Sequence, residues 1–66
     1  MASMDKATED RIRRTLERCG LDEWQTRQYL AIEARALGRG GTAAVARVSG
    51  ASESTVRRGV RELESG

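Results

Sequence analysis

Three arginines near the C-terminus of this 66-residue chain, Arg57, Arg58 and Arg61, carry the chemistry with the clearest direction. A guanidinium is always charged, and its planar fork matches both a phosphate and the O6/N7 edge of guanine. Just ahead stand Ser52, Glu53, Ser54 and Thr55. Ser54 and Thr55 are short enough to donate to a phosphate or to meet a thymine methyl. Val56, Val60 and Leu63 recur at i, i+4 and i+7, so they mark the inner side of one helix. Glu53, Ser54, Arg57, Arg58 and Arg61 are left on its outer side. Such a helix suits the major groove, where side chains near its N-terminal end read base edges. Either Arg57 or Arg58 is expected on a base, with Arg61 and the other on backbone phosphate. Glu53 has two readings: it accepts from cytosine N4, or its charge simply favours the helix N-terminus.

These residues need a partner element to hold them, and the segment before them supplies one. Thr42 and Ala43 open a short stretch in which Val45, Ala46 and Val48 form an apolar face of small side chains. Gly50 then allows positive φ at a sharp turn, and Ser52 caps the second helix. A short helix, a glycine turn and a capped helix are the sequence form of a helix-turn-helix, here spanning residues 42–64. Thr42 and Ala43, at the first helix's N-terminus, join the expected DNA-binding set. Gly59 costs about 1 kcal/mol relative to Ala inside a helix. Close approach by another helix, the second of the chain, would explain it; plain tolerance of the glycine is the alternative.

Charge is distributed to match. The net charge is +2, with 12 basic and 10 acidic side chains. Residues 1–37 balance to zero, whereas residues 38–61 hold five arginines (39, 47, 57, 58, 61) against Glu53. The basic excess therefore lies on the half expected to meet an anionic partner. Enzyme chemistry is not expected. The chain has no His, one cysteine without a base partner, and no phosphate-binding or cofactor motif, so neither metal nor cofactor is implied. No apolar run could cross a membrane and no signal pattern is present, which leads us to expect a soluble, cytoplasmic protein.

The first half of the chain reads as support. Ile12, Leu16 and Cys19 stripe a helix from Asp5 to Cys19 that Gly20 ends, and Cys19 is expected as a small buried apolar residue. A second helix should open at Asp22, which with Gln25 forms a capping-box pattern, and run to about Leu37. Leu30, Ala34 and Leu37 form its stripe, widened by Trp24, Ala31 and Ile32. Trp24 and Tyr29 are expected to pack this helix against its neighbours. Gly38-Arg39-Gly40-Gly41 breaks it, either as a flexible connector with a C-cap or as a place where Gly40 and Gly41 admit a phosphate. Met1 to Met4 resemble a leader ahead of a single helical domain over residues 5–64, and the Glu64-Ser65-Gly66 end suggests a piece of a longer protein. The expected fold is all-α, a small four-helix domain with a C-terminal helix-turn-helix.

From Glu33 to Leu63 the run EARALGRGGTAAVARVSGASESTVRRGVREL resembles the N-terminal region of bacterial insertion-sequence transposases of the Rhodopirellula-type DDE family. The likeness is carried by EARALGRGG, AVAR and STVRRGVREL, with LDEWQTRQYL similar in character to that family's lead-in. The helix-turn-helix half also resembles lactose-repressor-type headpieces, through A-x-x-x-G-x-S-x-S-T-V-x-R. The first resemblance implies recognition of an element's terminal repeats and a separate catalytic domain, whose acidic triad has no counterpart among these carboxylates. Trp24, Ala51 and Glu53 depart from the family pattern, which has basic, larger aliphatic and often Arg residues there. The expected partner is double-stranded DNA, and a symmetric target would imply a homodimer. Two alternatives stand beside a transposase module: a small transcriptional regulator using the same motif, and a helical protein-interaction or dimerisation module.

Overall fold

The computed structural model describes residues 4–65, and among them the chain is all-helical. α1 spans Lys6–Arg18, α2 Glu23–Leu37, α3 Gly41–Ser49 and α4 Glu53–Ser65. The expected leader residues Met1, Ala2 and Ser3, and the terminal Gly66, lie outside the described residues. Met4, counted with that leader, is half-buried against the core.

Local sequence explains the helix starts. Asp5 accepts from the Thr8 N–H at 2.8 Å and caps α1. Asp22 and Gln25 form a complete capping box on α2: the Gln25 N–H donates to Asp22 at 2.7 Å and the Asp22 N–H to the Gln25 side chain at 3.1 Å. α3 has no side-chain cap; Gly40 precedes it in the left-handed region, and the Ala44 N–H donates to the Gly40 carbonyl at 3.2 Å. Thr42, expected at the helix start, is the second residue of α3, because Gly41 already belongs to the helix.

α2 is the central element, packed against both α3 and α4, and α1 lies against α3. Ile12, Leu30, Val45 and Val56, one from each helix, are fully buried, and they form one core with buried Ala34 and Ala46. Burying each of the four larger side chains stabilises the fold by about 1.5–3 kcal/mol relative to leaving it in water. Two glycines set how closely the helices approach. A Cβ on Gly41 would collide with the Ala34 carbonyl, so the start of α3 rests directly on the end of α2. A Cβ on Gly59 would sit 2.6 Å from the Arg27 carbonyl oxygen and 3.0 Å from the Ala31 Cβ. Gly59 is thus buried where α4 crosses α2, the close approach expected from the sequence.

Three expectations for the supporting half are corrected. Cys19 is exposed, not buried. The α1 stripe runs from fully buried Ile12 through half-buried Leu16 to exposed Cys19, so the C-terminal end of α1 leaves the core. Trp24 and Ile32 do not widen the apolar interface of α2: they are 58% and 56% exposed. Burial on α2 follows Leu30, Ala31, Glu33 and Ala34, and Trp24 and Ile32 are left facing solvent. Tyr29 does pack, half-buried against the core. Gly41 is buried against α2 and closed to a phosphate, which leaves exposed Gly40 as the free part of the glycine connector.

Candidate nucleic-acid interface

The connection from α3 to α4 is three residues long, Gly50-Ala51-Ser52, and the N–H groups of its first two residues are paired. Gly50 turns the chain at φ 79, ψ 0, and its N–H donates to the Ala46 carbonyl at 3.0 Å. A side chain there would be strained in the left-handed region, which is why glycine stands at this point. The Ala51 N–H donates to the Ser49 hydroxyl at 3.2 Å. Ser52 caps α4, accepting from the Thr55 N–H at 3.1 Å, and its hydroxyl lies 2.9 Å from that of Thr55. Ser52 and Thr55, both in the sequence-derived site, are therefore engaged in shaping the helix start.

The remaining α4 residues are sorted by its helical repeat. Val56 and Gly59 are buried, with Val60 and Leu63 half-buried on the same side. Glu53, Ser54, Arg57, Arg58 and Arg61 are all exposed. At ~100° per residue, Ser54, Arg57, Arg58 and Arg61 share an arc of about 100° on the side away from Val56, with Glu53 about 40° outside it, beside Arg57. Thr42 and Ala43 lie apart from this group, at the end of α3 away from the turn by about 10 Å of helix. Thr42 is half-buried and Ala43 exposed, with exposed Arg47 one turn beyond Ala43 on the same face of α3.

Electrostatics distinguish the arginines. Arg57 contacts Glu53 at 3.4 Å and Arg58 contacts Glu62 at 3.6 Å, both one turn apart on α4. Among the described residues Arg61 forms no ion pair and no hydrogen bond through its side chain. Glu62 is the most heavily used carboxylate. Arg27 of α2 donates to it from Nε at 2.8 Å and Nη2 at 3.2 Å, and Gln28 donates at 2.8 Å. The Arg27 hydrogen bond holds the Glu62 carboxyl below its ordinary pKa, against a smaller opposing effect of desolvation. A second network braces α1. Arg11 donates to Glu33 from Nε at 3.0 Å and Nη2 at 2.7 Å, and the Tyr29 hydroxyl donates to the same carboxylate at 2.9 Å. Glu33 is 7% exposed, and the Arg11 hydrogen bond lowers its pKa more than burial raises it.

These networks position α4 and α1, and sequence reading missed both. Arg27 and Glu62 are 35 residues apart, and Arg11 and Glu33 are 22 apart, so no local spacing announces them. Among the described residues no group of His, Cys, Asp or Glu is placed to hold a metal, and no helix is long and apolar enough to cross a membrane. No protein-family model, no curated protein and no solved structure matches this chain.

Proposed function

We propose that the chain binds double-stranded DNA, with α3, the Gly50 turn and α4 acting as a helix-turn-helix and α4 entering the major groove. The observation that carries this reading is the outer face of α4. It presents Ser54, Arg57, Arg58 and Arg61 to solvent, while Val56 and Gly59 hold the helix to the core from the other side. The three arginines are not needed to fill the core, and they lie over the N-terminal and middle turns from which a recognition helix reads. The likeness of residues 33–63 to insertion-sequence transposases supports a role as the end-recognising module of a recombinase; a small regulator would use the same face.

Fluorescence anisotropy with random duplexes at several salt concentrations tests the reading. With roughly four phosphates neutralised, the log–log salt slope should be about −3.6. Selection from a random pool should then enrich a motif, and comparison of that motif with transposon ends separates the recombinase module from the regulator. Absence of binding at low salt by the folded domain refutes the DNA reading.

Exposed Trp24 and Ile32 favour a second reading, protein contact through α2. Trp24 is the chain's one tryptophan, and with Gln28, Glu62 and Leu63 it lines a groove of about 400 Å³. Its fluorescence reports on burial of this surface directly. An emission maximum that does not move with protein concentration up to the millimolar range rules out self-association through Trp24.

A further inference from the structure

The ion pairs on α4 separate its arginines into two kinds, an inference that rests on the DNA-binding reading above. Arg58 touches Glu62 at 3.6 Å, but Glu62 is already satisfied by two hydrogen bonds from Arg27 and one from Gln28. Arg58 can swing to another anion and leave Glu62 paired. Arg61, which has no carboxylate partner among the described residues, is free from the start. Arg57 differs. It holds Glu53 from Nη2 at 3.4 Å, and among the described residues the Glu53 carboxylate has no other partner. If Arg57 moved away to a phosphate, an unpaired negative charge would remain on the flank of the arginine face, one turn from that phosphate.

We propose that Arg57 is the base-reading arginine, that Glu53 is the positioning residue that keeps it there, and that Arg58 and Arg61 bind backbone phosphate. Glu53 is the first residue of α4 and Arg57 lies one turn in, the part of a recognition helix nearest the base edges. Arg61 lies about 12 Å along the axis from Glu53. A carboxylate beside the guanidinium makes a phosphate an unfavourable neighbour for the pair, through like-charge repulsion. A base edge carries no such charge. There the N–H groups that Glu53 leaves free donate to guanine, and Glu53 accepts from an adjacent cytosine N4.

The test uses duplexes selected from a random pool by this protein, together with every single-base variant of the winning site, in anisotropy titrations across salt. R57A should lower the preference at one base pair by about ten- to one-hundredfold with little change in salt slope. R57K, which keeps the charge but not the fork, should lose the same preference. R58A and R61A should weaken every duplex alike and each reduce the slope by about 0.9. E53Q should strengthen binding to all duplexes while relaxing the base pair that R57A relaxes, and should have no further effect on that preference in an R57A background. A merely structural Glu53 would leave base preference unmoved in E53Q, and that result overturns its positioning role. A preference lost in R58A or R61A but kept in R57A overturns the assignment while leaving DNA binding intact. A folded wild-type chain that binds no duplex at low salt overturns the DNA reading and this assignment with it.

Discussion

Replacing Gly59 with Ala sets two effects of known sign against each other. Alanine is the better helix former by about 1 kcal/mol, so at an exposed site the change would stabilise α4. At Gly59 the new methyl would lie 2.6 Å from the Arg27 carbonyl oxygen and 3.0 Å from the Ala31 Cβ. The first neighbour is backbone, so it has no rotamer through which to withdraw. α4 must back away from α2 by several tenths of an ångström along the interface that also carries the Arg27–Glu62 pair. Overpacking of this kind costs about 1–3 kcal/mol. Set against the propensity gain, G59A should be destabilised by as much as about 2 kcal/mol, a large share of what so small a core supplies. In a domain of this size each 1 kcal/mol shifts Tm by about 4–8 °C. Thermal and urea unfolding followed by circular dichroism at 222 nm measures the change, with Ser54→Ala, at an exposed α4 position, as the control for helix propensity. A G59A variant more stable than wild type by the full propensity increment would refute the close α2–α4 approach, and with it the placement of the arginine face.

Other expected outcomes follow from the caps and the carboxylates. Ser52→Ala removes the acceptor for the Thr55 N–H and should cost about 1 kcal/mol, whereas Ser52→Asp should retain most of the stability; an unchanged urea midpoint in S52A would remove the cap from the account. Glu33 and Glu62 both have folded pKa values below their ordinary ones, held there by Arg11 and Arg27. Their contribution is therefore fully present above the unfolded carboxylate value near pH ~4.3 and lost as pH falls through the lower folded values. Stability should decline on the acid side, and Arg11→Ala should shrink the Glu33 part of that decline. Equal pH dependence in wild type and R11A would show that Arg11 does not set it.

What the sequence determined is local: the capping box at Asp22 and Gln25, the turn at Gly50, the cap at Ser52, and the burial of Val56 against the exposure of Arg57, Arg58 and Arg61. Each depends on neighbours within about one or two helical turns, where residue type and the 3.6-residue repeat suffice. Gly59 was legible in kind, because an unhelpful residue inside a helix calls for a crowded neighbour, although its contact with Arg27 and Ala31 was not. The tertiary structure alone decided which ends of the apolar stripes meet the core. Trp24 and Ile32 on α2, and Cys19 at the C-cap of α1, fit the expected apolar pattern, yet all three are exposed. It also decided which charges are tied. Arg11 to Glu33 and Arg27 to Glu62 join distant parts of the chain, and helix packing rather than spacing brings them within hydrogen-bonding reach. Periodicity tells which side of a helix is apolar, but how far that side is covered depends on the length and tilt of the neighbour laid across it.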